Sequence, residues 1–464
     1  MTRQILSDET LAGRAIDLTN CDREPIHIPG SIQPHGCLLA CDNACRNLLF
    51  HSANAPELLG FGDDLVGQPL SQVIGGQNTH DLLNKLTASG SGSRPVPVFG
   101  MQINGQSFDV SIHRFANRAI IELEPAAQQY AAQLGMARTV IERLRALHDV
   151  EMLIEQAAVL FQAQLGYDRV MIYELGPDGA GKVVSEARQD RQESFRGQYF
   201  PARDIPQQAR ALYLKNPIRM IGDTSFTPVP ILPLPDPQEP ALDLSHAHLR
   251  SVSPIHCEYL RNMGVAASMS ISIIVDNALW GLIACHHDSP KVLSMAERAA
   301  AEMAGDFFSM QLATLIRNQA RDAETVARRA LDDLLVDASR NDDVSTALQN
   351  RLPQLADLIP SQGVALSFDG AWSALGHAPA QDDVAPLLQL AETVAVGEVF
   401  STDSLSELLP DAPDLTAQAA GVMIVPLSKR PRDYLFYFRR EAVQTLEWAG
   451  DPNKTYETGP FGDR

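Results

Sequence analysis

The feature that most limits what this chain can fold into is a proline-free run of helix formers from Met295 to Asp337, MAERAAAEMAGDFFSMQLATLIRNQARDAETVARRALDDLLVD. At 1.5 Å per residue, a helix of that run is about 65 Å long, more than the diameter of one domain. It therefore has to connect two domains, and it offers a stripe for pairing with a second copy of the chain. A length of 464 residues agrees, since it suggests about three domains, each able to bury its own core.

On either side of that helix the sequence alternates short strands with helices. Residues 1 to about 125 carry the strand-like GCLLACD, PVPVFGMQI, QSFDVSIHRF and RAIIELEP, with a helical LSQVIG…HDLLNKLTA among them. Ala126–Leu165 is rich in Ala, Leu, Arg and Glu and reads as one long helix or two abutting ones. A second α+β block follows, with strands RVMIYEL and GKVVSEAR, the helix IPQQARALYLK and the hairpin SMSISIIV-DN-ALWGLIAC. The apolar window Ala266–Cys285 is long enough to span a bilayer, but Asp276 and Asn277 in its middle mark a hairpin turn instead. Between Phe226 and His248, six prolines exclude helix and central strand and predict an extended loop. From about Pro360 a third block, GVALSFDG, VAPLLQLAETVA, GVMIVPLS and DYLFYFRREA, runs into a polar, Gly/Pro-rich end that looks unfinished.

The 57 acidic against 37 basic residues leave a formal charge of −20, which disfavours nucleic acid and anionic membranes as partners. The N-terminus lacks the apolar core of a secretion signal, so a cytoplasmic, reducing location is expected and the six cysteines read as thiols. Cys37, Cys41 and Cys45 could share a helical face, but Asp42-Asn43 looks like a turn, and buried apolar residues are the better reading than a metal site. Cys21 differs, because it sits in the polar run LTNCDREPIHIPG, where an exposed thiol is free to attack an electrophile.

The second block concentrates the remaining candidates. FPARDIPQQARALY places Asp204 before Ile205 and Pro206, where it could cap the following helix, whose Arg210 and Tyr213 are expected to be exposed one turn apart. Arg219 and Arg250 can pair with carboxylates or be solvated surface. His256 and Tyr259 lie three apart, and His286 ends an apolar strand, so the two histidines either are satisfied core groups or face a common pocket. Two histidines with Asp204 allow a metal triad. Their company of tyrosines, arginines and the hydroxyls of Ser268 and Ser270 suits a large planar ligand with carboxylate arms better. No dinucleotide glycine motif, Walker A sequence or His-Glu-x-x-His motif occurs.

LTNCDREPIHIPGSIQPHG, FPARDIPQQARALYLKNPIRMI, DLSHAHLRSVSPIHCEYLRNMGVAASMSISI, LWGLIACHH and EWAGDPNK together resemble the photosensory module of a bacterial phytochrome over essentially the whole chain. The resemblance implies three tandem antiparallel-sheet α+β domains linked by long helices: PAS with an N-terminal arm at 1–125, GAF at 126–318, and PHY at 319–464, ending within its hairpin tongue. It implies a figure-of-eight knot in which the arm passes through the Pro-rich insertion near Ile32. It implies covalent biliverdin IXα, with a thioether from Cys21 to the A-ring vinyl. Asp204 would hold the pyrrole N–H groups through its backbone carbonyl, with His256 beside them. Tyr173, Phe200 and Tyr259 would wall the D ring, and His286 would bond its carbonyl. Arg219, Arg250, Ser268 and Ser270 would take the propionates, and Ile205, Pro206 and Tyr213 would complete the pocket.

On this reading the chain is a red/far-red photoreceptor and homodimer, not itself an enzyme, passing D-ring isomerisation to the tongue. The output would be a histidine kinase acting on a response regulator. Arg203 replaces the family's usual serine, and the Pro-Arg-x-Ser-Phe return strand of the tongue is not in the sequence. Competing readings are a GAF-type sensor for a cyclic nucleotide or haem, with Cys21 idle, and a metal-dependent hydrolase using His256, His286 and Asp204.

Overall fold

Each block of alternating sequence forms one antiparallel sheet with helices against it. The computed structural model describes residues 24–441 except 63, 91, 127–129, 178, 235–240, 341–343, 413–414, 416–417 and 429–432. These residues fall into two compact units, 24–315 and 316–441, and the long helix Met295–Arg340 runs from the first into the second.

The first sheet is built from β1 (Ser31–Ile32), β2 (Cys37–Asp42), β3 (Leu48–Ser52), β4 (Val96–Ile103), β5 (Gln106–Phe115) and β6 (Arg118–Pro125). Successive side chains on a strand face opposite ways, so Cys37, Leu39 and Cys41 all enter the core beneath the sheet. Cys45 is buried there too, from a turn at φ +54, as expected for small apolar residues and not for a helical metal site. Among the described residues no cluster of His, Cys, Asp or Glu could hold a metal ion.

Helix follows in two pieces, Tyr130–Arg145 and Val150–Leu165. The break falls where Asp149 adopts extended backbone and its carboxylate accepts from the Met152 N–H at 2.9 Å, an N-cap worth about 1 kcal/mol. The second sheet comprises β7 (Arg169–Leu175), β8 (Gly181–Arg188), β9 (Tyr199–Phe200), β10 (Ile218–Ile221), β12 (Ala267–Val275) and β13 (Ala278–His287), in the order β10-β12-β13-β7-β8-β9. Asp276 and Asn277, both at positive φ, make the tight β12–β13 turn, and no described helix is long and apolar enough to cross a membrane.

The Pro-rich insertion departs from expectation. It contains β11 (Val229–Leu232), which lies inside the first sheet between β1 and β3. The strand survives its proline because the ladder with β3 starts only at Ile231, while the Pro230 carbonyl still accepts from the Ala53 N–H at 2.8 Å. Ser31 and Ile32 pair with Pro230 and Val229 on one edge. On the other, the Gln33 N–H donates to the Leu249 carbonyl and the Ser251 N–H to the Ser31 carbonyl. Residues 31–33 thus lie between β11 of the insertion and the segment 249–251 that directly follows it, with Ile32 fully buried among Leu38, Ile120, Ile231, Leu244 and Leu249. This arrangement is consistent with the expected knot. Nearby, Arg298 of the long helix donates to both carboxylate oxygens of buried Glu124 on β6, a pair that takes the rest of the first unit as its frame.

In the second unit, β14 (Gly363–Phe368), β15 (Ala371–Gly376), β16 (Phe400–Thr402), β17 (Gly421–Pro426) and β18 (Tyr434–Arg439) form a sheet in the order β15-β14-β18-β17-β16. Helix Ala385–Val394 packs on it through Leu387 and Ala391.

Candidate functional site

The face of the second sheet away from its helices Val150–Leu165 and Met295–Arg340 is floored by residues in cross-strand register. Arg219 of β10 lies opposite Ser270, Ser270 opposite Ala284, and Ala284 opposite Met171; Ile221, Ser268 and His286 form the row on one side of these, and Leu282 and Tyr173 the row on the other. Opposed residues of an antiparallel pair point to the same face, so this register alone assembles side chains more than a hundred residues apart. The side chains in these rows are small at Ser268, Ser270 and Ala284, and the space above them is a cavity of about 210 Å³.

Two helices and a short turn make the walls. The turn Ala202–Asp204 leads into helix Gln207–Lys215, and helix Pro254–Asn262 carries His256 and Tyr259. The Tyr259 hydroxyl donates to Asp204 Oδ2 at 3.2 Å, and the His256 and Tyr259 rings stack 6.1 Å apart. Tyr173 and Phe200 tilt together at 5.6 Å. Gly181 makes room for this, since a Cβ there would fall 1.8 Å from the Tyr173 ring.

Asp204 is not the helix cap considered from the sequence: Pro206 occupies the N-cap, and Asp204 belongs to the turn before it. Arg210 and Tyr213 are half-buried and not exposed. The reason is the turn itself, whose carbonyls need donors: Arg210 donates to the Ile205 carbonyl at 2.7 Å, to Gly179 at 2.5 Å and to Ala202 at 3.3 Å.

The cations stand at one end. Arg219 donates to the carbonyls of His248, Arg250 and Ser251, and Arg250 to that of Ile26 at 2.5 Å. Burial pulls Arg219 down to about 10 and Arg250 well below its usual range, Arg219's own charge adding to the second effect. Burial also drives the His286 imidazole to about 3, with the charges of Arg169 and His256 contributing, so it is neutral and able to donate from one nitrogen and accept at the other. His286 Nδ1, Arg250 Nε and the Ser251 hydroxyl, all buried, have no hydrogen-bond partner among the described residues. An apolar, aromatic-walled cavity with unsatisfied donors and two guanidinium groups at one end fits a planar, partly anionic ligand.

Residues 21–126 match the family description "PAS fold", 149–312 "GAF domain" and 327–464 "Phytochrome region". The bacteriophytochrome of Xanthomonas campestris is 34% identical over 95% of this chain and 72% of its own length. The chain belongs to the phytochromes. Cyanobacterial phytochrome B of Nostoc sp. is 35% identical over 97% of this chain, which spans 61% of that relative's length. The photosensory core module of the Stigmatella aurantiaca phytochrome superposes with a TM-score of 0.83 at 36% identity, covering 97% of this chain and 91% of that one. This phytochrome is accordingly a PAS-GAF-PHY photosensory module of the bacteriophytochrome kind, in the α+β architecture expected.

Within the phytochrome GAF region, every candidate ligand residue from the sequence lines the one cavity: Tyr173, Phe200, Asp204, Ile205, Pro206, Tyr213, Arg219, Arg250, His256, Tyr259, Ser268, Ser270 and His286. Cys21, the side chain of Arg203 and the EWAGDPNK stretch lie outside the described residues. The sequence reading missed Glu24, Ser251 and Ser253, which also line the cavity, and the role of Arg210 in tying down the turn. Glu24 had one signal, its place three residues after Cys21.

Proposed function

We propose that this phytochrome module is a red/far-red light receptor whose GAF cavity holds biliverdin IXα, linked by a thioether to Cys21. The observation that carries the reading is the convergence on one cavity of all thirteen ligand candidates outside the arm. Bound, biliverdin would supply a conjugated tetrapyrrole that absorbs far-red light and isomerises at its D ring. The Asp204 backbone carbonyl and His256 hold pyrrole N–H groups. Tyr173, Phe200 and Tyr259 limit the swing of the D ring, and neutral His286 donates to its carbonyl. Arg219, Arg250, Ser268 and Ser270 take the propionates, for which the two buried guanidinium groups provide charge-assisted donors.

Cys21 is favoured as the attachment point by elimination. Cys37, Cys41, Cys45, Cys257 and Cys285 are all buried, and burial pushes each of their thiols up, Cys257 to about 11, away from the nucleophilic thiolate. We place the domain boundaries at 1–125, 126–318 and 319–464, and the output with a histidine kinase and its response regulator. Homodimerisation is supported by exposed apolar residues two turns apart on one face of each of two helices, Met152 with Val159 and Met303 with Met310. Mixing the chain with biliverdin should give a sharp far-red band that bleaches and shifts under red light, with pigment retained on denaturation and lost in Cys21→Ser. No band, or retention of pigment in that variant, refutes the assignment.

A further inference from the structure

Asp204 reaches the cavity on a turn of only three residues, Ala202–Asp204. Within it the Asp204 N–H donates to the Pro201 carbonyl at 2.9 Å and the Ile205 N–H to the Ala202 carbonyl at 3.3 Å, bonds that shape the turn without fixing where it stands. Longer ties do that. The Tyr259 hydroxyl holds the Asp204 carboxylate, and Arg210 holds the backbone: its Nε donates to the Ile205 carbonyl at 2.7 Å, and one Nη to the carbonyls of Ala202 at 3.3 Å and Gly179 at 2.5 Å. One planar guanidinium therefore joins carbonyls on both sides of Asp204 to the β7–β8 turn. Gly179 admits it, since a Cβ there would stand 2.6 Å from a guanidinium nitrogen. Arg210 works from behind the wall, because Gln208, Ala209, Leu212 and Tyr213 of its helix line the cavity and it does not.

From this geometry we infer that Arg210 is the positioning residue that aims the Asp204 backbone carbonyl at the pyrrole N–H groups and so keeps the bound tetrapyrrole protonated, a role that rests on the biliverdin reading above. A carbonyl favours the protonated form of a pyrrole only while it accepts the N–H in line, and such bonds weaken steeply below about 120°. With the peptides on both sides of Asp204 tied down, its carbonyl is not free to swing out of line. Lysine cannot take this place, because a single ammonium on a flexible stem lacks the fixed fork that spans three carbonyls. The inference also carries a sign. As a cation beside a protonated tetrapyrrole, Arg210 by its charge alone would drive the pyrrole proton off, whereas as the holder of the Asp204 carbonyl it retains that proton. The other ionisable groups around the cavity stay the same when Arg210 is replaced: Asp204 itself, Tyr213 on the helix of Arg210, His256 and Tyr259 on the facing helix, and Tyr173 and His286 on the sheet. So do the cations Arg219 and Arg250.

The test reads the pH at which the far-red band is lost as the tetrapyrrole gives up a pyrrole proton. Wild type, Arg210→Gln and Arg210→Lys are each loaded with biliverdin; uptake is followed by the rise of the band, and folding of the apoprotein by circular dichroism on heating. In both variants the midpoint of band loss should fall by about one pH unit, a roughly tenfold weaker hold on the proton, while the uptake rate stays within about twofold of the wild type. Arg210→Lys, which keeps the charge and loses the fork, should fall at least as far as Arg210→Gln, and it carries the test should the glutamine variant not fold. A midpoint that rises in Arg210→Gln and stays in place in Arg210→Lys shows an effect of charge alone, and unchanged midpoints beside lowered melting temperatures show a support of the fold alone. Either result overturns the inference and leaves the biliverdin reading standing, as does a folded variant that no longer takes up biliverdin. A wild type that forms no far-red band overturns the biliverdin reading and this inference together.

Discussion

The GAF sheet and the sheet of the 316–441 unit are both antiparallel and both have helices packed on them, yet one face is hollow and the other is filled. On β18, Phe436 and Phe438 are fully buried and stack 6.1 Å apart, Tyr434 is 5.9 Å from Phe436, and Trp372 closes on Phe436 at 5.4 Å. At the comparable mid-sheet positions of β12 and β13 stand Ser268, Ser270 and Ala284. The same architecture becomes a solid support or a receptor according to the size of a few alternating residues. Close packing stabilises the first through contact area, while the second forgoes those contacts and leaves polar atoms to be satisfied by a ligand.

That contrast can be broken most sharply by removing an aromatic ring. Phe436→Ala should cost about 3–5 kcal/mol, because a fully buried phenyl leaves a cavity that stiff neighbours cannot fill. Amide hydrogen exchange across β14, β17 and β18 of the whole chain should accelerate more than a hundredfold, with β12 and β13 unaffected. Protection lost equally in both sheets would mean that the two units do not hold their cores separately.

Acid should distinguish the units next. Burial, with a smaller contribution from His246, lowers His113 to about 3 from an ordinary value of 6.5, and neither ring nitrogen has a hydrogen-bond partner among the described residues. The unfolded chain takes up this proton below about pH 6.5 while the folded chain does not until near pH 3, so His113 withdraws stability as pH falls through that window. Between pH 7 and 5 this amounts to about 2 kcal/mol. His113→Phe should therefore be less acid-sensitive than the wild type by that amount in denaturant titrations. Glu122, raised by burial to about 7, works in the opposite direction and should leave the difference between the two proteins unchanged. The 316–441 unit has no buried histidine among its described residues, and its unfolding should shift least.

The smallest effect on stability is expected where volume is added to the hollow face. Ala284→Val should change stability by less than about 1 kcal/mol, since its methyl groups enter open space instead of a packed core. Biliverdin affinity, measured by absorbance titration, should nonetheless fall about tenfold. A large stability loss with unaltered affinity would show that the space above Ala284 is not where the chromophore sits.

Local chemistry made much of this legible from residues alone. The Asp276-Asn277 turn, the length of the helix from Met295, the buried cysteines and the thirteen candidates that line the cavity all follow from short-range rules or from motifs carried in contiguous stretches. Pro230 inside a sheet was not legible, because whether a proline breaks a strand depends on where the neighbouring ladder starts. Arg210 looked like helix surface, because its partners at Gly179 and Ala202 are brought to it by a turn that periodicity does not reveal.

The amino-acid sequence by itself determined the three α+β blocks, the connecting helices and the set of side chains able to hold a large anionic ligand, since hydrophobic period, turn residues and helix propensity act within a few residues of each other. Only the tertiary structure decided that β10, β12, β13 and β7 share one register, that residues 31–33 lie between β11 and the segment 249–251, and that Glu124 meets Arg298 across 174 residues. Such long-range pairings depend on the whole path of the chain, and their energies are gained only after distant segments have met.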